Sequence, residues 1–184
     1  MKTRLLFSLL ATLLIAVLPI KEAIAQDYDP VSQMSYRISS GYYYPNEGTT
    51  SQLDATIDYN DTTGAINSLD FEVYLFSFQN RIGNGNILAW LGAADYFPNM
   101  SFESRSVKET EDELVIKGTL YFRGRYSPVT ITAERRNEDN VMILDGRFTI
   151  TVSDYIMFVG GRPELPTYVN MDFNMIFPDI EEGQ

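Results

Sequence analysis

The chain has 184 residues, with 14 Lys and Arg against 25 Asp and Glu, a formal net charge of −11, and neither Cys nor His. A surface this negative repels nucleic acid and anionic membranes. Without His and Cys the chain lacks the commonest general base, the usual ligands of tight zinc and copper sites, and the partners of nucleophilic triads, so a cofactor-free, metal-free and non-enzymatic role is expected.

Lys2 and Arg4 precede an apolar run from Leu5 to Leu18, and Ala23-Ile24-Ala25 follows. A basic start, a short apolar core and a small-residue site predict a secretory signal peptide over residues 1–25, cleaved after Ala25. The apolar run has 14 residues, short of the ~20 that a membrane-spanning helix needs. Removing the leader takes away Lys2, Arg4, Lys21 and Glu22, leaving 159 residues with a net charge of −13. That length suits one domain with a sizeable core. An exported chain with no Cys has no disulfides and no site for a lipid-modified cysteine, so its stability rests on packing and on sheet pairing. No stable membrane insertion is expected after cleavage.

Residues 26–34 read as a polar lead-in containing Pro30, and residues 35–178 as the folded domain. Tyr36, Ile38, Ser40, Tyr42 and Tyr44 alternate as a first strand, ended by Pro45-Asn46-Glu47-Gly48. Tyr42 to Tyr44 read as aromatics on both faces of a strand end, with phenol groups at a wet rim; a carbohydrate- or partner-binding platform is the alternative. Leu53, Ala55, Ile57 and Tyr59 mark a second strand, closed by a turn at Asn60-Asp61 and Gly64.

Asp70 to Phe78 is the strongest single strand. Leu69, Phe71, Val73 and Leu75 share one face. Asp70 and Glu72 lie on the other, as a solvated surface, and are followed by Tyr74, Phe76 and Phe78, so either a helix or loop covers that end or it closes the mouth of a cavity. Gly83 to Ala94 breaks the strand rhythm. Ile87, Leu88 and Leu91 recur at helical spacing beside Trp90, with Asn84 or Asn86 as cap, predicting one short helix that plugs or gates one end of the β-structure. Its Trp favours a packing role. Pro98 then opens a strand with Met100 and Phe102 inward and Glu103 and Arg105 outward. Val107 to Glu113 reads as a charged hairpin turn without the Gly and ligand spacing of a calcium loop.

Leu114 to Ile131 forms the central hairpin. Leu114, Ile116, Leu120 and Phe122 alternate with Lys117, Thr119, Tyr121 and Arg123, with Gly118 on the apolar side. Gly124 and Pro128 punctuate the turn, and Val129, Ile131 and Ala133 resume the pattern. Arg135 to Asn140 is another charged turn. Val141 and Ile143 start a strand that continues through Phe148, Ile150 and Val152; the odd step in parity near Leu144 to Gly146 predicts a bulge or tight turn. Gly160 to Pro166 reads as a loop, Met171, Phe173, Met175 and Phe177 as the last strand, and residues 179–184 as an acidic tail.

About eight strands and one short helix with short connections predict an all-β antiparallel barrel or sandwich. A barrel of ~8 strands is either filled by side chains or holds one elongated ligand.

Two segments resemble the YceI-like family. Tyr96-Phe97-Pro98-Asn99-Met100-Ser101-Phe102-Glu103-Ser104 is similar to that family's "yP-x-x-x-F-x-S" segment. Leu114 to Ile131 is similar to its "v-x-G-x-L-t-i-r-G-v-t-k-P-v-t" hairpin, with Gly118, Leu120, Gly124, Pro128 and Val129 in matching places. The resemblance covers roughly residues 35 to 177. It implies an eight-stranded, lipocalin-like antiparallel β-barrel, export in bacteria, and a long polyisoprenoid chain held inside. The family's usual His-Leu pair in the helical segment is replaced here by Ile87-Leu88-Ala89-Trp90-Leu91, and its early-strand His residues are missing, so the ligand's identity does not carry over.

The function expected is therefore an exported protein, periplasmic or else secreted, that holds a lipid or polyisoprenoid for sequestration or transport. A homodimer stays open. The candidate lining residues are Phe71, Val73, Leu75, Trp90, Met100, Phe102, Leu120, Phe122, Phe148 and Ile150; each is equally accounted for as ordinary core. The alternative is a filled-core structural or interaction domain of the cell envelope. A carboxylate hydrolase needs two acidic groups ~5 to 10 Å apart across a cleft, and no such pair stands out.

Overall fold

The computed structural model describes residues 31–38, 45–60, 62–83, 85–110, 113–138, 141–155 and 168–178. The predicted leader, the lead-in up to residue 30, the Tyr42 to Tyr44 run, the Gly160 to Pro166 loop and the tail over 179–184 lie outside the described residues.

Alternating apolar side chains build most of the ten strands: β1 (Gln33–Ile38), β2 (Asn46–Thr50), β3 (Leu53–Tyr59), β4 (Ile66–Tyr74), β5 (Gln79–Ile82), β6 (Asn99–Glu109), β7 (Leu114–Phe122), β8 (Arg125–Glu138), β9 (Val141–Thr151) and β10 (Tyr168–Phe177). Two 3₁₀ turns, η1 (Leu75–Ser77) and η2 (Val152–Tyr155), and one helix, α1 (Ile87–Leu91), complete the described elements. All the strands join one antiparallel sheet in the order β3-β4-β6-β7-β8-β9-β10-β1-β2-β5.

That sheet is strongly curled. β4 and β9 are four positions apart in the order, and at ~4.8 Å per strand a flat sheet would hold them roughly 19 Å apart. Yet the rings of Phe71 on β4 and Phe148 on β9 have centroids 5.9 Å apart, and Phe71 lies 6.4 Å from Phe173 on β10. The apolar face is turned inward and meets itself.

The ten strands exceed the eight expected because β2 and β5 carry no strand signal. β2 reads Asn-Glu-Gly-Thr-Thr, a turn by composition. It is extended because β1 pairs with it on one side and β5 on the other. The Tyr36 ring lies over Gly48, where a β-carbon would come within 2.5 Å of it. Pairing and cross-strand packing decide such a segment, not its own propensity.

β4 also differs from expectation. It begins at Ile66 and stops at Tyr74, and η1 takes over before Phe78. The turn sends Leu75 and Phe78 inward and leaves Tyr74 and Phe76 exposed, their rings 5.7 Å apart. Asp70 and Glu72 are more than a solvated surface. The β6–β7 register shifts between Ser104 and Ser106, making Arg105 the extra residue of a bulge. There the Asp70 carboxylate accepts hydrogen bonds from the Ser104 amide (2.8 Å) and hydroxyl (3.3 Å), while Ser104 Oγ accepts from the Leu69 amide (3.1 Å). Glu72 accepts from the Asn99 side chain at 2.9 Å. Backbone groups left out of the ladder at a bulge need such partners. β6 itself runs on to Glu109, through the first part of the segment predicted as a turn.

The β7–β8 turn consists of Arg123 and Gly124 alone, both at positive φ (51° and 73°), the two-residue hairpin whose twist matches that of the strands. Pro128 lies inside β8 opposite Thr119, beyond the turn to which the sequence had assigned it. Counting from the closing pair Phe122–Arg125, Thr119–Pro128 falls on a non-hydrogen-bonded position, so the ring nitrogen points away from β7. On its other side β8 pairs with β9 only from Thr132 onward. The missing N–H therefore breaks no ladder.

The bulge predicted near Leu144 to Gly146 is not there: β9 runs against β10 from Thr151 to Met142 in one unshifted register. Met142, Leu144, Gly146, Phe148 and Ile150 face inward, and Ile143 is a half-buried outer residue. Gly146 is an inner position whose volume is supplied by Phe173, since a β-carbon there would lie 2.1 Å from that ring. A glycine on the inner face hid the true parity.

Candidate functional site

Nine of the ten candidate residues lie in the buried core. Cross-strand pairs place Phe71 opposite Phe102 and Val73 opposite Met100 between β4 and β6, and Phe102 opposite Leu120 between β6 and β7. Phe71 and Phe102 stack with centroids 5.4 Å apart. With Phe148 and Phe173 they form an aromatic cluster across the waist of the curled sheet. Leu75 and Phe122 lie toward the end that carries α1, and Ile150 pairs with Val169. Trp90 is placed elsewhere. It sits on the outer side of α1, 63% exposed, while Leu88, Ala89 and Leu91 make the helix's buried face. Helical spacing marks which residues share a stripe, and the stripe Leu88–Leu91 won the interior.

The candidate residues brought together are all apolar. Among the described residues no charged side chain is buried, and the buried polar groups are the side chains of Asn46 and Thr50 and the hydroxyls of Tyr36 and Tyr155. The interior can therefore enclose hydrocarbon but offers no acid–base pair. Among the described residues no cluster of three His, Cys, Asp or Glu could hold a metal ion, and no helix is long and apolar enough to cross a membrane.

α1 closes one end of the sheet and is held at both of its own ends. Asn86 Oδ1 accepts from the Ala89 amide (2.9 Å), the N-cap predicted from the sequence. The same side chain's Nδ2 donates to the carbonyls of Leu75 (2.8 Å) and Phe78 (3.2 Å), tying the helix start to η1. At the other end Arg123 Nη1 donates to the Leu91 carbonyl at 2.7 Å. A β-carbon on Gly92 would stand 2.6 Å from Leu75 and 3.0 Å from Phe122, so only glycine lets the helix end approach this closely. The loop before α1 is fixed from beneath. Tyr36 donates to Asn46 Oδ1 (2.6 Å), Asn46 Nδ2 donates to the Gly85 carbonyl (3.1 Å), and Asn80 Nδ2 donates to that same carbonyl. Burial pushes the Tyr36 hydroxyl up to about 12, against the lowering influence of the backbone at Leu88 and Ile87.

The same end holds a residue the sequence did not single out. Tyr155, the last residue of η2, is buried edge-on against Phe122 with ring centroids 5.4 Å apart. It lies three residues after Val152, the spacing of one 3₁₀ turn, and a single turn is too short to leave a periodic signal in the sequence. Tyr36 and Phe173 carry the strand alternation, but the partners they meet, like those of Asn46, depend on which strands become neighbours.

The outer face is ionic. Asp145 accepts from Arg136 and Asn174, each at 2.6 Å. Burial pushes the Asp145 carboxyl up, but those hydrogen bonds and the charge of Arg136 outweigh it and hold the group below its usual range. A crevice of about 360 Å³ beside it is lined by Glu113, Glu134, Asp145, Arg147 and Asp172 together with Phe173. Its charged walls do not suit an apolar chain.

The model of the YceI-like domain matches residues 29–177. No curated protein matches the chain. Among solved structures, Burkholderia cenocepacia BcnA is similar with a TM-score of 0.65 and 17% identity, over 79% of this chain and 96% of that one. The Campylobacter jejuni YCEI protein is similar with a TM-score of 0.49 and 15% identity, over 70% of this chain and 84% of that one. The likeness to BcnA is one of fold.

Proposed function

The chain belongs to the YceI-like family, and from that premise we propose that it is an exported, non-enzymatic carrier that holds one long apolar ligand, a lipid or polyisoprenoid, inside its curled sheet. The leader over residues 1–25 directs it to the periplasm or, as the alternative, to the medium. β2 runs into β3 through Ser51 and Gln52, and β4 into β5 through η1. We read each pair as one bent strand serving both margins of the sheet, which brings it round as a lipocalin-like barrel.

The observation that carries this reading is the predominantly apolar inner face, with no buried charge among the described residues. A chain buried there gains ~0.8 kcal/mol per CH₂, so a dozen methylenes suffice without polar recognition. Phe71, Val73, Leu75, Met100, Phe102, Leu120, Phe122, Phe148 and Ile150 are the wall in this reading. A second reading rests on the aromatic cluster: Phe71 touches three other rings at 5.4 to 6.4 Å. Rings in such contact fill the waist, as in a structural or interaction domain of the envelope with a solid core.

One experiment separates the two. The full chain is expressed with its leader in a bacterial host, purified without detergent, extracted with organic solvent and analysed by mass spectrometry, and the purified protein is then offered polyprenyl and fatty-acyl lipids. Stoichiometric lipid in the extract or uptake of an offered lipid supports the carrier. A clean extract together with no uptake overturns it in favour of the solid core.

A further inference from the structure

Exposed aromatic side chains gather at one end of the curled sheet. Tyr74 and Phe76 at η1, Trp90 on α1, Tyr96 after the helix and Tyr126 at the start of β8 all face solvent, between 45% (Tyr74) and 82% (Tyr96) exposed. The elements that carry them are tied together. The Leu75 amide donates to the Pro98 carbonyl (2.8 Å), Asn86 joins α1 to η1, and Arg123 joins the β7–β8 hairpin to the end of α1. The Phe97 ring lies where a β-carbon on Gly124 would stand, so the turn after α1 rests on the same hairpin. Tyr126 meets Tyr121 across that hairpin with ring centroids 4.9 Å apart. Exposed rings collected on one end of a chain that is otherwise acidic outside mark a contact surface.

We propose that this end docks peripherally on a zwitterionic bilayer surface, from which the apolar ligand is loaded and to which it is returned; the loading role rests on the carrier reading above. Tyr and Trp join an apolar body to a polar tip and settle at the boundary between headgroups and acyl chains, and four of the five rings are of these kinds. The charge pattern fits that surface. Residues 72–78, 87–98 and 121–126 carry two carboxylates, Glu72 and Asp95, and two guanidinium groups, Arg123 and Arg125, so this end is neutral on a chain of net charge −11. Glu109, Glu113, Glu134 and Glu138 stand at the far end of β6, β7 and β8. β7 runs nine residues between the two ends. At ~3.3 Å per residue that is roughly 26 Å, about three Debye lengths at physiological ionic strength. The acidic end therefore does not repel a membrane met by the aromatic one. A long hydrocarbon has its reservoir in a bilayer rather than in water, and this orientation sets α1, which closes that end, against the reservoir.

The test is vesicle docking read by Trp90, the only Trp of the chain and part of the surface. The protein, expressed as the full chain with its leader and purified without detergent, is mixed with phosphatidylcholine vesicles, with or without bromine on their acyl chains. Wild type is expected to sediment with the vesicles, equally at low and high salt, its Trp90 emission shifted to shorter wavelength and quenched by the brominated lipid. Tyr96→Ser combined with Tyr126→Ser, the two most exposed of the five, should weaken docking about tenfold, the worth of roughly 55 Å² of apolar surface no longer buried. The double variant should keep its circular dichroism and still take up a polyprenyl lipid dispersed without vesicles. No docking by wild type, docking that needs anionic lipid and vanishes in salt, or docking unchanged in the double variant overturns the proposal, while uptake of the dispersed lipid keeps the carrier. A wild-type dimer in analytical ultracentrifugation that the same two changes dissociate assigns the surface to a second copy and also overturns it. Docking with no uptake of dispersed lipid overturns the carrier reading and the loading role together.

Discussion

Asn86→Ala tests whether the helix at one end of the curled sheet is latched as its hydrogen bonds indicate. The side chain caps α1 through the Ala89 amide and satisfies two carbonyls of the η1 segment, all three contacts partly buried. Loss of the cap costs about 1 kcal/mol, and leaving two carbonyls short of a donor costs about 1 kcal/mol each. The total of about 3 kcal/mol corresponds to a fall in Tm of about 6–12 °C for a domain of this size. Asn86→Ser retains an oxygen for the cap, but its single short O–H does not reach the two carbonyls that Asn86 Nδ2 serves, so it should lose about 2 kcal/mol. Urea unfolding is followed by the fluorescence of Trp90, the only Trp in the chain and itself on α1, and in parallel by far-ultraviolet circular dichroism for the sheet. The reasoning fails if Asn86→Ala stays within about 0.5 kcal/mol of wild type, the ordinary range of a neutral surface substitution, or if Ser costs as much as Ala.

Two further outcomes are expected. Gly118→Ala should cost about 3 kcal/mol and Gly146→Ala about 1–2 kcal/mol, because the new β-carbon at 118 meets the Glu103 backbone oxygen at 2.3 Å whereas at 146 it meets only the Phe173 ring; denaturant melts showing the reverse order, or a Phe173→Leu change that fails to relieve Gly146→Ala, would contradict the packing described. Tyr36 and Tyr155 should ionise only near pH 12, against an ordinary value of 10.0; their folded values are raised, so the stability they lend is fully present below pH 10 and is lost as pH climbs from 10 to 12. Phenolate absorbance should show two late-titrating groups, one removed by each Tyr→Phe change, and ionisation of every tyrosine near pH 10 in folded protein would refute it.

Some of this molecule was legible in the chain. The inner faces of β3, β6, β7 and β10, the helix at 87–91 and its Asn86 cap follow from period-2 and period-3.6 alternation and from capping chemistry. Where an inner position was glycine the alternation misled: Gly146 shifted the apparent parity of β9 by one residue, and a bulge was inferred where none exists. Where a strand carried no apolar residue it was invisible, as with β2. Pro128 drew the turn toward itself, although register makes its position in β8 harmless. The size of Trp90 favours packing, yet the residue stands outward on α1.

By itself the sequence determined the chemistry available: an antiparallel all-β chain, acidic outside and apolar inside, with no His, no Cys and one short helix to close it. Those properties are local, set by residue type and by the repeat of side chains along each strand. The tertiary structure alone decided what the apolar residues meet. Phe71 faces Phe148 and Phe173 only because the sheet curls through four or five strands; Asp70 holds a bulge 34 residues away; Tyr155 arrives edge-on beside Phe122. Such contacts depend on strand order and curl, and these come from the summed pairing of the whole chain, which no window of neighbouring residues contains.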